Sequence, residues 1–230
     1  MGGQIFFRGS YSGDQLTIME QLLDGQSVFI DVGANHGEFS IAAAQIVQQG
    51  KVIAFEPVSE HRERLLKNIH LNGFGNVHVM PVALGEHEGV LPLYDRQDTP
   101  FTDGTKHEGL HTLFASDSRP HARGMVSVKK LDDVLGELNV TRIDVIKMDI
   151  EGAEWIALRG AMSTLARYRP TLILEIAKET CLAAGHEPKA FVEWLLGLDY
   201  RIEKIIEGGK TLPIDPALLD DFQNVVAFPR

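Results

Sequence analysis

Val28–Ser40 reads VFIDVGANHGEFS, an apolar run that enters a glycine-containing turn and leaves it as a helix. Val28-Phe29-Ile30 has the composition of a strand buried on both faces. Asp31 stands at its carboxyl end, where open α/β sheets take their ligands. Gly33 and Gly37 frame the turn; glycine there permits a positive φ or a close backbone approach, and the amides that open the next helix point at whatever fills the crevice. The turn departs from the dinucleotide pattern G-x-G-x-x-G. Asn35 occupies the second glycine position and Gly37 comes one position early, which weakens a pyrophosphate reading.

A phosphate-free ligand suits this turn better, one that offers a carboxylate to the helix amides and an ammonium to Asp31. The amino-acid end of S-adenosylmethionine has that chemistry. A second apolar strand, Lys51–Phe55, ends in Glu56 at ~25 residues beyond Asp31, near where an acidic side chain takes ribose hydroxyls in nucleotide-binding βαβ units.

Outward from these strands the chain alternates strand and helix. Residues 1–26 read as an arm and a short helix, with Thr17 and Glu20 as a capping box. Tyr11 and Asp14 in this arm are within reach of a cofactor, although a surface loop is the simpler reading. Phe39, Ala42, Ala43 and Ile46 recur at helical spacing, and a further helix opens at Ser59 as N-cap and stops at Asn72-Gly73. Val77–Leu84 reads as a third parallel strand whose end, with Ala83 and Leu84, lies beside the adenine. Residues 86–128 break the rhythm as a hairpin-like insertion, with Pro92 favouring an edge strand. Asp95–Gly124 exceeds the ~12–15 residues of an ordinary loop and is a candidate acceptor-binding segment. Its His107, His111 and His121 match no ligand motif, so no metal site is expected. His111, among Leu110, Leu113 and Phe114, is the best proton acceptor of the three.

Asp144–Met148 reads as a fourth core strand ending in Asp149, and Glu151 to Leu165 as a helix whose first turn holds Glu151 and Glu154 against its dipole. Thr171–Glu175 is a fifth strand with Glu175 at its mouth. A helix from Pro188 to Leu198 and strands Tyr200–Ile206 and Asn224–Phe228 close the chain. The expected fold is one α/β domain over residues 1–230, a doubly wound, mostly parallel sheet with an antiparallel C-terminal strand and helices on both faces.

With 230 residues, 44% of them hydrophobic, the chain can bury one α/β core. Its formal net charge of -10 argues against nucleic acid as a partner. The lone Cys181 forms no internal disulfide, and no apolar run approaches the ~18 residues of a membrane span, so a soluble cytoplasmic protein is expected.

Four motifs, DVGANHG, AFEP, NVHVMPVALGE and VIKMDIEGAE, stand in an order and spacing that resembles the FkbM-type S-adenosylmethionine-dependent methyltransferases, over roughly Val28 to Ile176. The resemblance implies O-methylation of a sugar, glycan or polyketide hydroxyl. It carries over to Asp31, Gly33, Asn35, Gly37, Glu56, Asp149 and Glu151, with Pro57 inside the second motif. Methyl transfer needs alignment above all, and an alcohol acceptor must also lose its proton. Asp149, His111 and Glu175 are the candidate bases, with Asp149 also a candidate cofactor contact. Metal-assisted deprotonation through Asp149 and Glu151 is the weaker alternative. Two other readings are a nicotinamide-dependent oxidoreductase, disfavoured by Asn35, and a non-catalytic relative, disfavoured by the retained Asp31 and Glu56.

Overall fold

The computed structural model describes residues 13–95 and 111–230. Tyr11 and His107 lie outside them. The first helix, α1 (Gly13–Leu22), precedes β1 (Val28–Val32), α2 (Glu38–Ile46), β2 (Lys51–Phe55), α3 (Ser59–Asn72) and β3 (Val77–Met80). After an inserted region come α4 (Leu131–Glu137), β8 (Val145–Met148), α5 (Glu154–Arg159), α6 (Met162–Tyr168), β9 (Thr171–Ala177), α7 (Lys178–Ala183) and α8 (Pro188–Gly197). The chain closes with β10 (Tyr200–Ile206), β11 (Lys210–Pro213) and β12 (Phe222–Pro229). The insertion contributes β4 (Ala83–Leu84), β5 (Gly89–Asp95), β6 (His111–Thr112) and β7 (Ala122–Lys129).

Eight strands form one sheet in the order β11-β10-β12-β9-β8-β1-β2-β3. The five from β9 to β3 run parallel, and β12 enters antiparallel between β9 and β10. From β1 the chain winds one way to β2 and β3, and from β8 the other way to β9. The crevice between β1 and β8 is therefore the switch point at which a doubly wound sheet binds ligands. Ile30, Ile53, Ile146 and Leu172 pack on the face carrying α4 to α8, while Phe29, Val52, Val145 and Ile173 pack under α1 and α2. The short apolar runs of these strands form because both faces are covered, the burial expected of parallel sheets.

The structure corrects several boundaries. The first helix starts at Gly13, and Thr17 is no cap: its Oγ1 donates back to the Gly13 carbonyl at 2.9 Å. Asp14 does not face the crevice; its Oδ1 accepts from the Gly208 amide at 2.7 Å and ties α1 to the C-terminal strands. Val58, not Ser59, precedes α3 as its N-cap, while Gly73 closes that helix with φ 71° as expected. The stretch Val77–Leu84 is not one strand, because β4 leaves the main sheet and pairs with β7 at Val128 and Lys129. The helix expected from Glu151 is a turn followed by two helices, α5 and α6. Helix α7 and strand β11 carry too few periodic residues to read from sequence.

The insertion builds a second sheet, β4-β7-β5-β6, with β5 and β7 antiparallel. Among the described residues, only β7 pairs with β5 beside Pro92, because β6 reaches only Tyr94 and Asp95. Within them Pro92 has the locally unpaired side that its missing N–H requires. Leu93 and Val128 turn inward, whereas Val90 and Met125 are each 62% exposed. Among the described residues, no helix is long and apolar enough to cross a membrane.

Candidate active site

Register places the first charged pair. Asp31 on β1 lies beside Lys147 on β8, on the face under α2. A lysine in a strand buried on both faces needs anionic company, and Lys147, 3% exposed, has it on two sides. Its Nζ stands 3.8 Å from Asp31 Oδ1 and 3.5 Å from Asp149 Oδ2, and 4.6 Å over the Phe39 ring. Burial works against its charge, yet Asp149, Asp31 and Glu175 together hold it above the usual lysine range. Ser40 Oγ, from α2, donates to Asp31 Oδ2 at 2.6 Å, while Asp31 Oδ1 has no hydrogen-bond partner. Burial pushes the Asp31 carboxyl up against the pull of Lys147 and Ser40.

The turn after β1 crosses that exit closely. Gly33 has φ 79°, and a Cβ there would come 2.2 Å from the Asp149 carbonyl oxygen, so the close approach is to the chain's own backbone. Gly37, φ 96°, caps α2, and Asn35 sits at φ 49° with its Oδ1 unpartnered. The two Glu56 oxygens accept the Asn35 and Val58 amides, each at 2.8 Å. Burial raises the Glu56 carboxyl and these amides lower it. Arg62 Nη1 donates to the carbonyls of Glu56 and Pro57 at 3.1 and 3.0 Å. Ala83 is half-buried, whereas Leu84 points into the main core.

One residue pair beyond the β8–β9 register, Asp149 and Glu175 come together. With Glu151 they form a trio whose oxygens lie within 4.8 Å of one another. Burial, with Asp149 and Glu151 nearby, pushes the Glu175 carboxyl up to about 9. The sequence assigned Glu154 to a helix dipole; it is 3% exposed and accepts the Ile150 and Gly152 amides at 2.8 and 2.9 Å. Burial lifts it to about 8. Glu151, at φ 55°, meets a residue the sequence did not reveal: Arg119 Nη2 donates to its Oε2 at 2.7 Å. The chain's own cations, Lys147 and Arg119, thus already stand against two members of the trio.

His111 meets a different set of groups. Its Nε2 lies 3.0 Å from Asp95 Oδ1 and 2.9 Å from Arg123 Nη1. Its ring meets His61 edge-on at 4.8 Å, and His61 in turn meets His36 at 4.9 Å. This row of imidazoles runs along the α2–α3 side of the crevice, and burial beside the other rings pushes His61 down to about 4. His121 is exposed. Ser40, Lys147, Arg119 and the inward turn of Glu154 were missed. Only Lys147 carried a signal, as a charge inside the apolar run VIKM.

The sequence pattern described as the methyltransferase FkbM domain matches residues 31–202, which contain the whole crevice. The chain belongs to the FkbM methyltransferase family. Among curated relatives, Methyltransferase 1 of Beauveria bassiana is 30% identical over 152 residues, 58% of this chain and 58% of its own length. The 2-O-methyltransferase NoeI of Sinorhizobium fredii is 22% identical, over 88% of this chain and 75% of that protein. Among solved structures, a methyltransferase FkbM from Methylobacillus flagellatus superposes with a TM-score of 0.55 at 19% identity, covering 90% of this chain and 44% of that one. The FkbM chain thus shares a Rossmann-like methyltransferase fold, and spans little over half of the fungal relative.

Proposed function

We propose that this FkbM-family chain is an S-adenosylmethionine-dependent methyltransferase that acts on a hydroxyl of a sugar, glycan or polyketide-type small molecule. The carrying observation is the unspent anionic oxygen of Asp31, buried at the switch point beside the first turn of α2, with Asp149 across the crevice and 35% exposed. That oxygen faces the Lys147 ammonium at 3.8 Å but accepts no hydrogen bond among the described residues, so it can still take a donor such as an ammonium, and Asn35 Oδ1 adds a second open acceptor. The residues present therefore fit the cofactor: Asp31 for its ammonium, the α2 amides for its carboxylate, Glu56 for ribose hydroxyls, and the backbone near Pro57, Ala83 and Leu84 for the adenine.

The cofactor supplies a methyl group on a sulfonium. The chain's part is to align the acceptor and take its proton. Asp149 is the best base because it opens to the cleft, and Lys147 keeps a positive charge beside it. Glu175, protonated near neutral pH, donates rather than accepts. Metal-assisted deprotonation is disfavoured because Lys147 and Arg119 occupy the metal's electrostatic place. The printed name of NoeI supports an oxygen acceptor, and the net charge of -10 supports a small molecule over nucleic acid. A nicotinamide enzyme is disfavoured by Asn35, which stands where the dinucleotide pattern has its second glycine.

A thermal-shift comparison tests this reading. Adenosylhomocysteine should raise Tm by mass action and NAD should leave it unchanged. A shift with NAD alone overturns it.

A further inference from the structure

Arg119 is 1% exposed, yet among its side-chain nitrogens only Nη2 has a hydrogen-bond partner in the described residues, Glu151. Nε and Nη1 are buried with none. Buried donors left unmade are costly and uncommon, and a guanidinium cannot escape by losing its proton. The segment around Arg119 is fastened across the carboxyl edge. Thr112 Oγ1 donates to the Glu151 carbonyl at 2.7 Å, Ser118 Oγ donates to Glu179 at 2.7 Å, and Ser116 and Arg119 exchange backbone bonds. The Arg119 guanidinium is therefore tied through Glu151 to the trio that includes Asp149.

We infer that Arg119 binds the acceptor: Nε and Nη1 donate to a neutral oxygen, hydroxyl or carbonyl, that neighbours the hydroxyl facing Asp149. The inference rests on the methyltransferase reading and deepens it by naming the acceptor's local chemistry. A neutral oxygen is favoured over an anion because Arg119 already has a carboxylate partner, and the Asp149 carboxylate stands in the same group. An acceptor with an isolated hydroxyl leaves the donors unpaired, whereas one with adjacent oxygens satisfies both Asp149 and Arg119.

The test uses the protein loaded with adenosylhomocysteine and three probes, trans-1,2-cyclohexanediol, cyclohexanol and glycerate, followed by saturation-transfer NMR titration. The diol should bind more tightly than cyclohexanol or glycerate. Arg119→Lys keeps a cation against Glu151 but loses the planar set of donors. It should weaken diol binding about tenfold to a hundredfold, with adenosylhomocysteine affinity and Tm near wild type. Arg119→Met should show the same loss, and Arg119→Lys carries the conclusion if Arg119→Met does not fold. Equal binding of diol and cyclohexanol, preference for glycerate, no diol binding, or full diol affinity in Arg119→Lys would each overturn the inference. Failure of adenosylhomocysteine to bind would instead remove the methyltransferase reading beneath it.

Discussion

The two sheets of this protein are built on opposite principles. In the large sheet every residue of β8 is buried, and both faces are covered by helices. In the small sheet β7 is mostly exposed, and Val90 and Met125 face solvent. The first holds the candidate cofactor side in a rigid frame where one register decides which side chains meet. The second carries His111, and just beyond β6 Arg119, over that frame through a few side-chain bonds. Under the proposed function, cofactor chemistry belongs to the buried sheet and acceptor choice to the exposed one.

The strongest way to break that division is Asp149→Asn. It keeps the size and removes the base, so single-turnover methyl transfer should fall roughly 100–10,000-fold. Adenosylhomocysteine affinity should stay near wild type, while Tm falls because buried Lys147 keeps Asp31 but loses its nearer carboxylate. Lost affinity with unchanged chemistry would assign Asp149 to the cofactor instead, and near wild-type turnover would move the proton elsewhere in the crevice.

Next comes a matched pair, one substitution per sheet. Lys147→Met leaves Asp31 and Asp149 without their shared cation, and breaking a buried charge pair in this way costs about 3–5 kcal/mol. Met125→Ser changes an exposed side chain of the small sheet and should stay within about 0.5 kcal/mol. Urea unfolding of both variants measures the contrast. Similar losses would mean that the small sheet is as integral to stability as the large one.

The same contrast explains what could be read from sequence. VFIDV and KVIAF are short apolar runs ending in an acid, and such runs have few ways to fold beside glycine turns. Asp31, Gly33, Gly37 and Glu56 were legible for that reason. Glu56 was only half-read, because its grip on the Asn35 and Val58 amides depends on two turns meeting in space. Ala83–Leu84 was assigned to the wrong sheet because a two-residue strand has no period, and its partner Val128–Lys129 lies far along the chain. Arg119 was invisible, since a charged residue in a polar stretch reads as solvated until the fold buries it. Glu154 misled for the opposite reason: a first-turn glutamate has a sufficient explanation in the helix dipole.

Glu154 also marks the seam between the sheets, and the smallest expected effect tests it. Its carboxyl holds the Ile150 and Gly152 amides, and the neighbouring Glu151 carbonyl receives Thr112 from the small sheet. An unfolded glutamate releases its proton near 4.5, whereas folded Glu154 keeps it to about 8. Between these values the unfolded chain binds fewer protons, so the contribution is complete below 4.5 and is lost as pH rises through about 8. Glu175, raised to about 9, acts in the same sense. Glu154→Gln cannot titrate, and its amide nitrogen cannot accept from one of the two backbone donors, a loss of about 1 kcal/mol at acidic pH. The variant should therefore start less stable than wild type at acidic pH, and the gap should narrow and then reverse as pH rises from about 4.5 towards about 8, with no further change beyond. Urea unfolding across that range measures the gap; a constant one would show that Glu154 is ionised in the folded protein, its charge stabilised by the two amides rather than suppressed by burial.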